Sequence, residues 1–433
     1  MITEIAISGF KSLVDFRMTF DKGLNVLIGP NGAGKSNICY ALDLFAKAAG
    51  GNVRAFLSER GGMTGCFTNT LGDRLSEKGI CASCKGEIAL SDSDEVLRYE
   101  YKVRLFIIGD TIPILHQELQ LQKGNDKKFN IILEAKAEET KDIQEFFGLD
   151  GAVEIKIVMK SEDLKKDFYR NSTQGMLRDR QPANPVILNY SDNYKTHSFH
   201  EELLNGKFFR VLSDYYDYCH LVREDLISTT ILSIDPKIAR GDNDTTDPSE
   251  MLPDGKYLTN ALYSMINKRN IDLDDLKSLL GKVYRPFRDI KSISSKNMTR
   301  SFFIVEGDDI EMPAKSLSDG TVKFIALLVG IYSQKTGTTV IEELENYMHP
   351  WACQLLVEYL RDYFEDKQCI LTTHSETMLN SLRPEEVVVV ENKSGKTEIT
   401  RLSENRHIKE VISNTGFGCG YFYVGGAIGG VPL

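Results

Sequence analysis

The sequence predicts an α/β fold built on a parallel sheet, with a β-rich layer and an inserted helical lobe, and three observations predict it. In the last third of the chain short β-branched runs alternate with helical stretches: Thr338 to Ile341, a helix opening at Pro350, Cys369 to Thr373, a short helix, then Glu385 to Glu391. Strands that alternate with helices imply a parallel sheet covered by helices. Near the N-terminus the apolar run Leu24 to Ile28 enters a glycine-rich turn and then a helical stretch, Ser36 to Ala49. Between Gly86 and Lys160 the runs GEIALSD, LRYEYKVRLFII, ELQLQK and VEIKIVMK carry alternating or β-branched apolar residues between turn residues, the period of strands.

These passages divide the 433 residues into three parts. Residues 1–188 form an N-terminal lobe with the glycine-rich turn and the β-rich layer. Residues 189–300, rich in Leu, Tyr and Lys and including NALYSMINKR, form the inserted helical lobe, and residues 301–433 complete the alternating core. No internal repeat and no heptad run long enough for a coiled coil is present.

With 42% hydrophobic and 26% charged residues the composition is that of an ordinary globular protein. The longest apolar run, near Phe324 to Tyr332, is far short of the roughly 20 residues a membrane span needs. The N-terminus MITEIAISGF lacks a basic region followed by an apolar block, so the expected location is the cytoplasm, with no membrane contact. Eight scattered cysteines suit free thiols in a reducing compartment. A net charge of −10 means that any nucleic-acid contact must rest on a local patch.

GPNGAGKS, Gly29 to Ser36, has the spacing G-x-x-x-x-G-K-[ST] between a strand and a helix. Asn31, Gly32, Ala33 and Gly34 offer backbone N–H groups to a phosphate, and the helix dipole adds positive potential. Lys35 reaches the β and γ phosphates of a nucleotide such as ATP, and the Ser36 hydroxyl can bind Mg²⁺. Further on, Ser318, Asp319 and Gly320 open an apolar helix: Ser and Asp are favoured caps, and Gly320 leaves room for close approach. Glu342 and Glu343 emerge from the strand ending at Ile341, at the C-terminal edge where ligands of parallel sheets sit.

Read together, GFKSL, GLNVLIGPNGAGKSN, SLSDGTVKFIALLVGI, TTVIEELENYMHP and ILTTHSETML resemble the ATPase heads of the ABC class, related to OLD, RecF and SMC heads. SIDPKIAR, LPDGKYLTNALYSMI and GYFYVGGAIGGVPL extend the resemblance over most of the chain. It implies an ABC-type P-loop ATPase head that binds ATP and Mg²⁺. It also implies that Asn31 to Asn37 cradle the nucleotide and that Ser318, Asp319 and Gly320 are the signature loop, contacting the γ-phosphate held by a second subunit. Two heads then sandwich two nucleotides in a homodimer or a higher homo-oligomer.

By the same resemblance Glu342 and Ser36 hold the metal, Glu343 polarises the attacking water, and His374 is the switch histidine at the γ-phosphate. Asn346 and His349 lie in the loop that crosses to the partner site. Glu342 departs from the aspartate usual at its position. It keeps the charge and the oxygen ligands but carries the carboxylate one methylene further out, which implies slow hydrolysis. Only about 60 residues follow His374, so a cutting activity would come from a separate effector, a nuclease or toxin. That arrangement resembles the ATPase subunits of the antiphage systems Septu (PtuA) and PARIS (AriA). The alternatives are a RecF-like or SMC-like head that binds DNA in repair, and a non-hydrolysing scaffold gated by nucleotide.

Two further signals point elsewhere more weakly. Cys81 and Cys84 have zinc-ligand spacing, yet the chain has no second pair to complete a site. Gly281 to Arg300 carries Lys282, Arg285, Arg288, Lys291, Lys296 and Arg300 with Tyr284 and Phe287 between them, which suits a phosphate backbone or simply a solvated face.

Overall fold

The computed structural model describes residues 1–68, 79–90, 95–108, 112–123, 131–137, 153–159, 186–190, 209, 217–268, 271–333 and 337–405, with 410, 412, 414–415 and 417–429. The chain divides into two compact units, each assembled from separated stretches.

The first unit comprises residues 1–21, 32–229 and 391–399. Its sheet is antiparallel: β1 (Ile2–Ser8), β2 (Phe16–Thr19), β4 (Ile80–Ala89), β5 (Val96–Ile108), β6 (Ile112–Lys123), β7 (Ile131–Ala137), β8 (Val153–Met159) and β9 (Val186–Tyr190), in the order β2-β1-β4-β5-β6-β7-β8-β9. β5 shows why the segment pairs this way. Leu97, Tyr99, Tyr101, Val103 and Leu105 are all buried, so every second residue faces the core. Tyr101 packs edge-on against Phe45 at 6.4 Å, from the helix Lys35–Gly50, and against Phe209 at 5.1 Å. The hydroxyls of the buried tyrosines are satisfied: Tyr99 donates to Asp225 at 2.7 Å and Tyr101 to Gln117.

The second unit comprises residues 22–31, 230–390 and 400–433. Its main strands are β3 (Gly23–Ile28), β10 (Thr230–Leu232), β15 (Thr338–Ile341), β16 (Gln368–Thr373) and β17 (Val387–Lys393), which pair in parallel in the order β10-β15-β16-β3-β17. Every residue of β15 and β16 is buried. Unbroken burial of this kind marks strands covered on both faces, which is why they read as apolar runs rather than alternations. The helix Asp319–Ser333 is buried from Val322 through Tyr332, and Pro350–Tyr363 buries Ala352, Cys353, Leu356, Val357 and Leu360 on one face.

A second sheet in this unit joins β11 (Asn243–Asp244), β12 (Phe287–Ser294), β13 (Thr299–Glu306) and β14 (Glu311–Pro313), all antiparallel. Residues 189–300 thus carry strands as well as the helices Asp217–Ile227, Leu258–Asn267 and Ile271–Val283. β10 spans three residues, too few to show a period, and in β12 only Phe287 and Ile290 are buried among charged neighbours, so composition hides both. Residues 191–208 and 210–216, part of the stretch expected to be helical, lie outside the described residues.

Candidate functional site

Within the second unit β16 lies between β3 and β15, with Thr373 opposite Ile28 and Leu371 opposite Ile341. Because the three strands are parallel, their C-terminal ends lie on the same edge. Gly29 opens the phosphate-loop motif there, Glu342 and Glu343 come directly after β15, and His374 directly after β16. Sequence-distant residues are therefore gathered at the carboxyl edge of the sheet, where α/β folds bind ligands.

The motif loop turns through Gly32 at φ 81° and Gly34 at φ 108° before the helix begins at Lys35. Both angles are strained for a residue with a Cβ. Asn31 and Gly32 are exposed, and a Cβ on Gly32 would meet nothing within 4 Å, so a ligand can approach the backbone there. Gly34 faces inward instead, where a Cβ would collide with Thr397 Oγ1. Thr397 donates to the Ala33 carbonyl at 3.1 Å and shares a 2.6 Å hydrogen bond with Ser12. Asn37, expected at the nucleotide, donates its amide to Ser12 Oγ at 2.7 Å and so braces the loop. Lys35 is buried at 8% exposure, Ser36 is exposed, and the first helical turn carries no acid. Backbone N–H groups, a lysine and a hydroxyl make a donor set that fits a polyphosphate with its metal.

At the end of β15 the half-buried Glu342 donates its N–H to the Leu232 carbonyl at 3.0 Å, which extends the ladder to β10. Glu343 breaks away at φ 47° with its side chain exposed. Its N–H donates to Thr372 Oγ1 at 2.9 Å, its carbonyl accepts from Lys323 Nζ at 2.7 Å, and its carboxylate accepts from the Asn346 amide. His349 caps the next helix, its Nδ1 accepting from the Trp351 N–H at 3.2 Å, and Pro350 occupies the first helical position.

Sequence patterns alone do not single out Glu345. Its Oε1 accepts from Thr373 Oγ1 at 2.8 Å and from the His374 N–H at 2.9 Å, while His374 Nε2 stands 3.9 Å away. Its Oε2 is buried without a hydrogen-bond partner. The available signal was a third acid two residues beyond Glu343, in a turn already rich in carboxylates. Lys323 is hidden as well, since it reads as one polar residue in an apolar helix. It is 2% exposed, and burial pushes its amine down to about 8, against the pull of Glu345 and Glu343.

At the start of that helix Ser318 Oγ accepts from the Thr321 N–H at 3.1 Å, an N-cap. Asp319 is paired with Arg240. Gly320 packs so tightly on the turn after β15 that a Cβ would collide with the Tyr347 carbonyl. Gly320 thus abuts the turn that follows Glu343 and Asn346.

Cys81 and Cys84 lie in β4, Cys84 buried, and no cluster of three or more metal-ligating residues occurs among the described residues. In the basic stretch Phe287 is core, Tyr284 donates to Glu306, Lys291 pairs with Glu311 at 2.9 Å, and Arg300 donates to Asn260 and lies 3.9 Å over the Tyr263 ring. Arg285, Arg288 and Lys296 are exposed. Among the described residues no helix is long and apolar enough to cross a membrane.

Solved SMC heads resemble the chain at low identity. The SMC head bound to the C-winged helix domain of ScpA shares 12% identity over 94% of this chain and 99% of that one, with a TM-score of 0.46. The SMC head domain from Thermotoga maritima shares 10% over 92% and 98%, with a TM-score of 0.40. The Pyrococcus furiosus Smc head with an extended coiled coil, bound to the C-terminal domain of ScpA, shares 12% over 95% and 99%, with a TM-score of 0.42. No curated protein matches the sequence significantly. The profile of the AAA ATPase domain (AAA_15), however, matches residues 1–379, which hold the phosphate loop, the acidic turn and His374. By that match the chain belongs to the AAA ATPase domain family, with the α/β fold of a P-loop ATPase.

Proposed function

We propose that the chain is an ABC-type ATPase subunit, related to OLD, RecF and SMC heads, that dimerises around ATP, hydrolyses it slowly and controls a separate effector. The observation that carries this is the shared edge of β3, β16 and β15, from which the phosphate loop, His374 and the glutamate pair all depart. Lys35 and the backbone of Asn31 to Gly34 bind the phosphates, Ser36 and Glu342 hold Mg²⁺, and Glu343 takes the proton of the attacking water. His374 contacts the γ-phosphate, and Ser318 to Gly320 contact the nucleotide of the partner subunit. Residues 1–188 and 301–433 supply the ATPase parts, with 189–300 as the insertion between them.

The effector is a nuclease or toxin on another polypeptide, in the manner of the Septu and PARIS ATPases. Phosphate release by the native protein, Glu343→Gln and Glu342→Asp tests the enzymatic part. A native rate clearly above Glu343→Gln, raised further in Glu342→Asp, supports slow hydrolysis. A native rate equal to Glu343→Gln means that ATP serves only as a scaffold ligand, stabilising the assembly by mass action. Co-purification with the product of an adjacent reading frame tests the effector part.

A further inference from the structure

Glu343 sits at φ 47°, a left-handed conformation that few residues other than glycine adopt. Such strain persists where the surroundings over-determine it, and it gathers at functional sites. Here the peptide groups on both sides of the residue are tied down. Its N–H donates to Thr372 Oγ1 at 2.9 Å, and its carbonyl accepts from Lys323 Nζ at 2.7 Å. The second tie is unusual in kind, because Lys323 is 2% exposed in a helix buried from Val322 to Tyr332. An amine placed there costs stability that a leucine would not. The same helix begins with Asp319 and Gly320, and Gly320 packs directly against the Tyr347 carbonyl.

We infer that Lys323 is a positioning residue, holding the Glu343 peptide in its left-handed turn so that the carboxylate projects from the sheet edge. The inference rests on the proposed hydrolase function and deepens it. Helix and acidic turn become one rigid piece, in which the amine holds the glutamate without touching nucleotide.

Phosphate release, affinity for a fluorescent ATP analogue and thermal unfolding, measured on the full chain, test this with Lys323→Met, Lys323→Arg and Glu343→Gln. Lys323→Met is expected to lower kcat by about 10- to 100-fold, the scale set by misplacing a reacting group by about 1 Å. It should leave analogue affinity within about twofold and the melting temperature unchanged or higher. Lys323→Arg, which keeps an N–H donor, should recover at least about a third of the native kcat. Should Lys323→Met fail to fold, Lys323→Leu carries the same comparison. A methionine or leucine variant with native kcat overturns the inference alone, as does an equal loss of kcat and affinity. A native rate no higher than Glu343→Gln overturns the hydrolase function and the inference with it.

Discussion

The carboxylate of Glu345 accepts a hydrogen bond from the His374 N–H at 2.9 Å, tying the turn after β15 to the end of β16. The same oxygen accepts from Thr373 Oγ1 at 2.8 Å. Replacing Glu345 with alanine leaves two donors without their acceptor and frees the backbone at His374. Glu345→Ala should cost about 1–3 kcal/mol in urea unfolding. It should also lower phosphate release about tenfold or more with ATP-analogue affinity little changed. Glu345→Gln, which keeps an acceptor oxygen, should retain most of the stability.

Gly320 has no space for a side chain, because a Cβ there would run into the backbone carbonyl of Tyr347. Backbone cannot step aside as a flexible side chain can. Gly320→Ala is therefore expected to displace the turn that carries Asn346, costing about 1–3 kcal/mol by the usual scale of overpacking. Thermal unfolding checks the stability, and phosphate release should fall with it. Thr321→Ala, one residue along but without that collision, should be far milder in both measurements.

Lys323 gives the protein a pH dependence whose sign is set by its burial. The amine falls from 10.5 to about 8 in the folded chain, mainly by desolvation. Between those values the unfolded chain binds more protons than the folded one, so stability from this group rises with pH, by up to about 1.4 kcal/mol per pH unit. Below about pH 8 its contribution is constant and unfavourable. Urea midpoints at several pH values should therefore show Lys323→Met most advantaged below pH 8, and its advantage shrinking towards pH 10.

How much of this was legible depended on the range of the interactions. The phosphate loop was readable because strand, glycines, Lys35 and helix are contiguous. The parallel core was readable because β15, β16 and the first half of β17 are buried without interruption and bounded by helices. The brace on the loop was not. Ser12, Asn37 and Thr397 meet across some 385 residues of sequence, and no local pattern announces a threonine hydroxyl at the Ala33 carbonyl. Lys323 escaped notice because a single amine in an apolar helix gives no hint of whether it reaches solvent or a carbonyl. The strand β12 escaped because its two buried residues are outnumbered by exposed polar ones, so composition resembled a solvated helix.

One ion pair remote from the acidic edge anchors the second unit. Arg361 Nε and Nη2 donate to the two oxygens of Glu386 at 2.6 and 2.9 Å, and Nη2 also donates to the Ser381 carbonyl at 2.8 Å. The Glu386 carboxylate is only 10% exposed and also accepts from the Arg383 N–H at 2.8 Å. Removing the arginine leaves that carboxylate in place without its counter-charge. Arg361→Ala should lower stability by about 3 kcal/mol or more, read as a shift in urea midpoint, while Arg361→Lys, which cannot form the fork, recovers only part.

The most direct test of ATP-driven pairing is the mass of Glu343→Gln in solution, by light scattering, with and without ATP and Mg²⁺. ATP should convert single chains into particles of twice that mass or a higher multiple, and Lys35→Ala should abolish the change. A mass that stays the same under saturating ATP would contradict it.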